Sequence, residues 1–505
     1  MDVRAGPPSQ DPARTALLII DMQNDFLAEG GAFSKRHCDP RQLAQTVAWL
    51  VRAARAQGRV VVWVTSVYGE IDAAPDALRG QTHTGSACCA RGTWGAELFP
   101  ALVPVCAERP AGTVEWHVEK RWYSAFRETE LHARLEQAGV AAVVLCGVAT
   151  NVCVLAAARD ARRLGYDVDI LGDATAAGTA GKHAVALREI EGLGGRRRSW
   201  ADLLSDGPGP VHIAGIGAGE TALWCGALDE RLAGEAGAFA AVEREVAWTT
   251  MRHRGGEVPR LVAIQGERSP DGAMPLYRHP VDEQPDLCPF TPAVDRIRRE
   301  VERRVGHPLN HCLLQLYRTG RDWISEHSDK TLDLVRPSFI VNVSLGRQRT
   351  MVLRPKRAED GDAVQKVPLP HGSLLVMDLE TNGRFYHAIR QEGDAEGEGD
   401  GPTSPSRISL TFRHIGTFHD PATGAVWGVG APASDRAEAE ARARARSALP
   451  GPEREAKERG EAERMLQLFR AENIDPTFDA AAYRPGFEAL NFRTLRASQE
   501  PGGDR

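Results

Sequence analysis

The pattern of the chain changes once, near residue 195, and this change limits most strongly which folds it can adopt. Up to Gly195, short β-branched runs alternate with helical stretches, whereas the later part carries a succession of short strands between turn residues. The first pattern predicts a parallel sheet covered by helices on both faces. The second predicts a β-sandwich or barrel. We therefore expect two domains of different fold class.

Shifts in composition place the domain boundaries. In chain order we expect a flexible N-terminus at 1–14, a first domain at 15–195, a linker at 196–219, a second domain at 220–418 and a helical, partly disordered tail at 419–505. The linker is rich in Gly, Pro and Arg, and its glycines lack the spacing of a dinucleotide-binding loop. The acidic run 392–400 is predicted to be a disordered loop. The end of the tail, 478–492, carries enough aromatic residues to dock on the rest of the chain.

The composition predicts a protein without membrane spans. No run approaches the ~18 apolar residues that a span needs, and the first apolar run ends at Asp21, so we expect no signal peptide. Nine scattered cysteines without a CxxC pair indicate reduced thiols, and we expect the protein in the cytoplasm or the nucleus. A net charge of −6 argues mildly against a protein that binds nucleic acid over its whole surface, but it is compatible with a local basic groove.

A cysteine in the first domain occupies a position suited to catalysis. Residues 143–153 run from a buried strand through a turn into a helix, which places Cys153 in the first helical turn. Unpaired backbone N–H groups and the helix dipole favour thiolate over thiol there, and the same groups could bind an oxyanion. The alternative is a buried structural cysteine, which fits Cys146 on the strand. Asp21 and Lys120 end two other extended stretches, so a parallel sheet would bring them to the same edge as Cys153.

Three segments carry a resemblance to the isochorismatase-like cysteine hydrolases: LLIIDMQNDF at 17–26, KRWYSAF at 120–126 and GVATNVC at 147–153. The resemblance covers roughly residues 16–186 and implies an α/β parallel-sheet fold. It implies that Cys153 is the nucleophile, Asp21 the general base and Lys120 the cation that orients the base and supports thiolate charge. It also implies a cis peptide between Val148 and Ala149 that aims an oxyanion-hole amide. A homo-oligomer formed through this domain is compatible with the resemblance.

Departures from the subfamilies narrow the expected substrate. Nicotinamidases carry an Asp-x-His metal cluster where this chain has TSVYGE at 65–70, so we expect no metal in this domain and disfavour nicotinamide hydrolysis. Isochorismatases proper lack the nucleophilic cysteine. Its presence points to hydrolysis of a small amide or carbamoyl C–N bond through a thioester. The stretches 120–126 and 149–153 look most similar to ureidoacrylate and biuret amidohydrolases.

The second domain contains candidate metal ligands. His327 and Asp329 lie two apart in an extended segment and point to the same side, and the strand FYHAI supplies His387. Two histidines and one carboxylate leave open positions on one face, which suits non-haem Fe(II) with a bidentate co-substrate and O₂. The alternative is a surface turn with a distant core histidine. In RISLTFR, alternation puts Arg407 and Arg413 on one face, where an anion such as a dicarboxylate would pair with them.

With YRTGRD at 317–322 and HGSLLVM at 371–377, these residues resemble the AlkB-like 2-oxoglutarate and iron dependent dioxygenases from Trp248 to Gly416. The resemblance implies an α+β double-stranded β-helix, or jelly roll, that binds Fe(II), 2-oxoglutarate and O₂. It implies iron ligation by His327, Asp329 and His387. Such enzymes hydroxylate C–H bonds, and an N-methyl group so hydroxylated leaves as formaldehyde.

The same resemblance assigns the co-substrate contacts. Arg407 would pair with the distal carboxylate of 2-oxoglutarate, Tyr317 would hydrogen-bond to it, and Arg413 would lie nearby. Gln315 stands in this group where the family commonly has Asn.

The substrate of the second domain stays open between alkylated DNA or RNA, a protein and a small molecule. Residues 254–260 and 277–279 resemble the nucleotide-recognition region of AlkB demethylases, but Thr331 replaces a base-reading acid. A basic groove would suit flipped-base chemistry, and five arginines are candidates for it: Arg252, Arg254, Arg260, Arg278 and Arg354. Two overall readings result: a bifunctional amidohydrolase and demethylase, or a dioxygenase whose hydrolase domain is an idle docking or oligomerisation module. The complete Asp21, Lys120 and Cys153 set favours the first.

Overall fold

In a computed structural model of the chain, residue contacts define two compact units, Met1–Ile213 and Ala214–Arg505. The structure describes residues 11–68, 88–204, 210–228, 237–253, 256–280, 285–357, 364–392 and 406–491. The predictions for residues 1–10, for nearly all of the acidic run 392–400 and for the chain after residue 491 lie outside these ranges. Within them, no helix combines the length and the apolar character that a membrane crossing requires.

The first unit is built on a parallel sheet. Its strands are β1 (Thr15–Ile20), β2 (Val60–Ser66), β3 (Glu115–Lys120), β4 (Ala142–Val148), β5 (Asp167–Ala176) and β6 (Arg196–Arg198). They lie in the order β3-β2-β1-β4-β5-β6, and all five pairs of neighbouring strands are parallel. All six residues of the central strand β1 are buried, as expected for a strand with neighbours on both sides and helices on both faces. The predicted α/β parallel-sheet class is confirmed.

Helices cover this sheet. They are α1 (Asn24–Leu27), α2 (Pro40–Ala56), α3 (Val103–Ala107), α4 (Leu131–Gln137), α5 (Leu155–Arg163), α6 (Ala180–Gly192) and α7 (Trp200–Leu204), and short 3₁₀ turns occupy Pro12–Arg14, Trp94–Ala96 and Pro100–Leu102. Asp39 caps α2 by accepting a hydrogen bond from the backbone N–H of Arg41 at 2.9 Å. With Pro40 in the first position, this cap starts the helix where the sequence predicts it.

The segment expected to be a linker, 196–219, begins inside the first unit instead. Three consecutive arginines suggest a solvated loop, but Arg196 and Arg198 both pair with Asp169 of β5, at 2.7 and 3.1 Å, and form the edge strand β6. The following helix α7 buries Trp200, whose ring lies 5.6 Å from that of Trp49. Ion pairing and aromatic packing therefore order a segment whose composition is typical of a linker.

The second unit is rich in antiparallel strands. After the short strand β7 (Val211–Ala214), in which the first unit ends, they are β8 (Ala222–Cys225), β9 (Thr249–His253), β10 (Gly256–Gly266), β11 (Met274–Pro275), β12 (Leu287–Pro289), β13 (His311–Tyr317), β14 (Ile324–His327), β15 (Ile340–Gly346), β16 (Arg349–Pro355), β17 (Gln365–Leu369), β18 (Ser373–Met377), β19 (Phe385–Ile389), β20 (Arg407–Arg413), β21 (Thr417–Asp420) and β22 (Ala425–Gly428). The larger sheet contains the order β12-β10-β13-β20-β15-β18-β8, and a second sheet has the order β14-β19-β16-β17. Two antiparallel sheets of this kind form the jelly roll that the sequence predicts.

Helices α8 (Gly237–Glu245) and α9 (Pro292–Val305) pack on the larger sheet. The alternation of β20 divides its side chains between two environments: Ile408, Leu410 and Phe412 join the apolar core with these helices. Arg407 and Arg413 point the other way and line a small internal cavity. A short helix, α10 (Leu379–Arg384), precedes β19.

The tail forms helices α11 (Arg436–Ser447) and α12 (Gly451–Ile474), followed by a 3₁₀ turn at Ala480–Tyr483. Much of α12 is exposed, in line with the solvated helix expected from its composition. One side of it is not: Met465 and Phe469 form a buried cluster with Leu332, Tyr483 and Phe487. The tail therefore packs against the loop that follows β14, which carries Asp329, one of the three candidate metal ligands.

Candidate functional sites

The parallel sheet brings the three predicted hydrolase residues together. Asp21 follows β1, Lys120 ends β3, and Cys153 lies in a π-helical turn, Thr150–Val154, between β4 and α5. The ammonium nitrogen of Lys120 lies 2.8 Å from Asp21 Oδ2 and 3.5 Å from Cys153 Sγ. All three side chains are buried. A cation in contact with both a base and a thiol is suited to nucleophilic catalysis.

Ser66, at the end of β2, is a fourth member that the sequence reasoning missed. Its hydroxyl accepts a hydrogen bond from Lys120 Nζ at 2.8 Å and donates one to Asp21 Oδ1 at 3.0 Å. It therefore links the cation to the second oxygen of the carboxylate. The signal was available in principle, because β2 lies beside β1 in the sheet and its last residue reaches the same edge.

The backbone around the site is closely packed. Gly147 has φ +104°, and a Cβ at this position would lie 2.1 Å from the carbonyl oxygen of Ile20. Only glycine allows this approach, which sets β4 against the turn that positions Asp21. The next peptide bond, between Val148 and Ala149, is cis, as the resemblance implies.

Protonation at this site differs from the expectation of a thiolate. Burial, reinforced by the charge of Asp21, raises the pKa of Cys153, so the resting residue is a thiol. Burial opposes the charge of Lys120, but Asp21 and Cys153 outweigh it and raise the pKa of Lys120, which stays protonated. The helix dipole is thus outweighed by burial and by a neighbouring carboxylate. A base must take the thiol proton during attack, and Asp21 is placed to do so.

Asp25, Cys88 and Cys89 form a second polar cluster in this unit, with one potential ligand atom from each within 4.8 Å of the others. Both oxygens of Asp25 already accept backbone N–H groups, from Ala32 at 3.1 Å and from Cys89 at 2.6 Å. The carboxylate therefore has a structural role in joining two loops. The expectation that this domain holds no metal stays a prediction.

In the second unit, His327 ends β14 and lies opposite His387 of β19 in the strand register. Their rings are 4.3 Å apart, and one ligand atom from each histidine and from Asp329 lies within 4.8 Å of the others. His327 Nδ1 lies 2.7 Å from the carbonyl oxygen of Ser325, which leaves Nε2 to face the cluster. Nδ1 of His387 is buried with no hydrogen-bond partner in the described ranges.

These donors fit a divalent iron. Burial lowers the pKa of His327 and lowers that of His387 to about 3, so both rings are neutral and able to act as ligands. Burial opposes the charge of Asp329, yet Arg413 and the two histidines prevail and lower its pKa, so the carboxylate is ionised. Two neutral imidazoles and one carboxylate on one face match the ligand set of non-haem Fe(II) oxygenases. Bound there, iron would supply the activation of O₂ for C–H oxidation.

The predicted co-substrate residues line a cavity of about 50 Å³ together with the three ligands. Tyr317 and Arg407 are opposite each other in β13 and β20. Arg407 is buried, and its Nε and Nη1 groups have no partner in the described part of the chain. Burial lowers its pKa to about 10, so it still carries a charge at neutral pH. Two unsatisfied N–H groups on a buried guanidinium fit the carboxylate of a bound 2-oxoglutarate.

Two polar residues of β15, Asn342 and Ser344, were missed by the sequence reasoning. Nη2 of Arg407 donates to Asn342 Oδ1 at 3.2 Å and to Ser344 Oγ at 2.8 Å. Asn342 and Ser344 thus fix the guanidinium of Arg407 through Nη2, and its Nε and Nη1 stay available to a ligand. Gln315 accepts a hydrogen bond from the hydroxyl of Tyr317 at 3.2 Å and lines the cavity as well.

A larger cavity of about 790 Å³ is also lined by His327 and Asp329, two of the three candidate metal ligands. Its lining is mainly apolar and includes Pro259, Ile264, Leu313 and Trp323. A mainly apolar cavity with a few polar groups is typical of a small-molecule or base pocket. It is the candidate substrate pocket.

Three of the five arginines proposed for a basic groove form hydrogen bonds or ion pairs within the second unit. Arg278 is fully buried and paired with Asp333 at 2.6 Å, and Arg354 pairs with Glu326 at 2.6 Å. Arg260 is buried in the pocket wall and donates to the carbonyl oxygen of Trp323 at 2.8 Å. The side chains of Arg252 and Arg254 lie outside the described residues. Arg278 was therefore assigned to the groove incorrectly, because it ties the core together.

Comparison with known proteins bears on both units. The isochorismatase domain matches residues 15–202, and the 2OG-Fe(II) oxygenase superfamily matches residues 228–413. In the first unit, the chain is 32% identical over 183 residues to an Arabidopsis thaliana protein named "probable inactive nicotinamidase", covering 36% of this chain and 89% of that one. It is 31% identical over 209 residues to a ureidoacrylate amidohydrolase of Methylobacterium radiotolerans, covering 38% and 78%.

In the second unit, the chain is 31% identical over 175 residues to the human alpha-ketoglutarate-dependent dioxygenase alkB homolog 3, covering 34% of this chain and 55% of that protein. The chain thus spans about half the length of this relative. The family matches agree with the two folds. The chain therefore belongs to the isochorismatase family through its N-terminal unit, and residues 228–413 of its C-terminal unit match the 2OG-Fe(II) oxygenase superfamily.

Proposed function

We propose that the chain is a bifunctional enzyme whose N-terminal unit hydrolyses a small amide or carbamoyl C–N bond. The observation that carries this proposal is the contact of one buried ammonium, that of Lys120, with both Asp21 and Cys153. An idle docking module would have no need to bury an ion pair against a thiol, because each of the two charges costs desolvation energy. Similarity to a ureidoacrylate amidohydrolase favours a ureido compound as the substrate.

The hydrolase reaction follows from these contacts. Asp21 accepts the thiol proton while Sγ of Cys153 attacks the carbonyl carbon, and it then returns the proton to the nitrogen as the C–N bond breaks. The thioester that remains is hydrolysed by a water molecule whose proton passes to Asp21. Lys120 stays protonated throughout and balances the negative charge that moves between carboxylate, sulfur and oxyanion.

For the C-terminal unit, we propose 2-oxoglutarate-dependent oxidative demethylation of alkylated nucleic-acid bases. The observation that supports it is the mainly apolar cavity of about 790 Å³ that ends at His327 and Asp329. His327, Asp329 and His387 would hold Fe(II), and Arg407 would bind the distal carboxylate of 2-oxoglutarate. An N-methyl group in the cavity would face the metal site and leave as formaldehyde after hydroxylation. Similarity to an AlkB homologue favours this substrate class over others.

Two assays test the proposal. In the first assay, the protein is incubated separately with ureidoacrylate, biuret and nicotinamide. We expect it to release ammonia from the two ureido compounds and none from nicotinamide. With Fe(II), 2-oxoglutarate and O₂, we expect formaldehyde from oligonucleotides that contain 1-methyladenine or 3-methylcytosine. Turnover coupled only to small methylated amines would instead indicate a small-molecule dioxygenase.

A further inference from the structure

The tail helix α12 supplies one wall of the dioxygenase pocket. Five of its residues line the cavity, at intervals of three, four, seven and eight from the first: Leu466, Phe469, Arg470, Asn473 and Ile474. This spacing defines one continuous stripe on a helix. A neighbouring stripe, which includes Met465, packs into the buried cluster with Leu332. The helix is therefore fixed on one side and faces the cavity on the other.

Hydrogen bonds fasten this helix to the loop of the metal ligands. Glu472 Oε1 accepts from both the backbone N–H and the hydroxyl of Thr331, at 3.0 and 2.5 Å, and its Oε2 accepts from Tyr483 at 2.7 Å. Asn473 Oδ1 accepts from Ser328 Oγ at 3.3 Å and from Lys330 Nζ at 3.2 Å. The position of the wall is thus set by the residues that flank Asp329.

The rim of the cavity combines apolar surface with a free cation. Trp323 is 37% exposed and Ile474 is 66% exposed, so both present apolar surface to solvent. Arg470 is exposed on the same rim, and its guanidinium has no hydrogen-bond or ion-pair partner among the residues that the structure describes. The backbone of Trp323 is held in place, because Arg260 donates to its carbonyl oxygen.

We propose that this rim binds the nucleotide next to the alkylated one: Arg470 pairs with its phosphate, and Trp323 stacks on its base. The proposal rests on the demethylation proposed above, and it adds the tail helix to the residues that determine specificity. Trp323 and Arg470 line the same cavity, and proteins hold unpaired nucleotides with aromatic rings that stack on bases and cations that pair with phosphates. Stacking on Trp323 requires an open base face, so the flanking nucleotide is single-stranded.

The test compares two substrates on the full chain, a methylated single-stranded pentanucleotide and the corresponding methylated nucleoside. The nucleoside has neither a phosphate nor a flanking base, so rim contacts cannot act on it. The variants are Trp323→Ala and Arg470→Ala. The matched controls are Trp94→Ala, an exposed tryptophan of the other unit, and Arg459→Ala, an exposed arginine of α12 away from the cavity.

We expect Trp323→Ala to raise KM for the pentanucleotide about tenfold, the size of effect that loss of one stacked base gives. We expect Arg470→Ala to raise it about fivefold and to reduce the slope of log affinity against log salt by about 0.7, the value for one phosphate on a single strand. In both rim variants, KM for the nucleoside should rise less than KM for the pentanucleotide. Uncoupled 2-oxoglutarate turnover, which needs no methylated substrate, and both control variants should match wild type.

Two results would contradict the rim proposal in distinguishable ways. If wild type demethylates the pentanucleotide and both rim variants do so with unaltered KM, the rim is not a nucleotide site, and the demethylation proposal stands. If wild type releases no formaldehyde from any methylated oligonucleotide or nucleoside while it consumes 2-oxoglutarate with another substrate, the proposed function fails and the rim proposal fails with it.

Discussion

Nη2 of Arg413 lies 2.7 Å from Oδ2 of Asp329, so the cation that ends β20 is paired with the carboxylate of the candidate metal site. Alternation along β20 predicts that both of its arginines face an anion. For Arg407 that anion would be the co-substrate, whereas for Arg413 it is part of the chain itself. Because Arg413 contacts Oδ2, the other carboxylate oxygen of Asp329, Oδ1, is left to coordinate a metal ion.

Loss of this pair should weaken metal binding. We expect Arg413→Met to lower Fe(II) affinity about 10- to 100-fold, the usual effect of removing a group that orients a ligand. Anaerobic calorimetric titration measures it, with Arg299→Ala on the surface of α9 as the control. Unchanged affinity in Arg413→Met would show that the ion pair does not position Asp329.

Arg407 should act on the co-substrate and not on the metal. We expect Arg407→Met to raise KM for 2-oxoglutarate at least about 30-fold, because a buried carboxylate would lose its charged partner. Fe(II) affinity should change less than in the Arg413 variant. The check is uncoupled turnover across a 2-oxoglutarate titration, and a variant with normal KM would remove Arg407 from the site.

Ser66 should tune the hydrolase without being essential to it. Ser66→Ala removes the hydroxyl that links Lys120 to Asp21, and we expect kcat for amide hydrolysis to fall about 10- to 100-fold. Because this residue positions the base, the acidic limb of the pH–rate profile should move as well. Ser124→Ala, also buried in this unit, is the control. Equal kcat and an identical pH profile in Ser66→Ala and wild type would contradict a positioning role.

Acidification should loosen the turn that carries Cys153. Burial, with a contribution from His37, lowers the pKa of His183 to about 4, and its Nδ1 lies 2.9 Å from Thr150 Oγ1. The unfolded chain binds this proton near the ordinary value of 6.5, so the stability that the neutral ring contributes is lost as pH falls from about 6.5 toward 4.

Hydrogen exchange followed by mass spectrometry can detect this effect. At each pH, residues 150–163 of wild type are compared with those of a His183→Gln variant, so that intrinsic exchange rates cancel. We expect wild type to lose protection relative to the variant below pH 6.5. A constant difference between pH 7 and pH 5 would exclude His183 as the titrating group.

Strand pattern and topology were enough to predict which candidate catalytic residues meet. Asp21, Lys120 and Cys153 follow different strands, and parallel strands expose their ends at one edge, so their convergence required no knowledge of side-chain packing. The alternation of β20 likewise predicted which side chains face the cavity and which face the core. In both cases the backbone geometry alone decides the direction of the side chain.

Contacts that depend on packing could not be predicted in the same way. The pairing of Arg196 with Asp169 joins residues far apart in sequence, and it turned an expected linker into an edge strand. Glu472 reaches Thr331 across 141 positions, which no local pattern reports. Burial raises the pKa of Cys153, opposite to the effect expected of a helix dipole, and burial is a property of the whole fold.

The most direct test of two independent active sites in one chain is a crossed assay of Cys153→Ala and His387→Ala. Each variant is measured for ammonia release from a ureido substrate and for formaldehyde release from a methylated oligonucleotide. We expect Cys153→Ala to lose at least about 10³-fold of amide hydrolysis and to retain demethylation, and His387→Ala to show the reverse. If amide hydrolysis persists in Cys153→Ala, or if demethylation persists in His387→Ala, the corresponding active site is not where we have placed it.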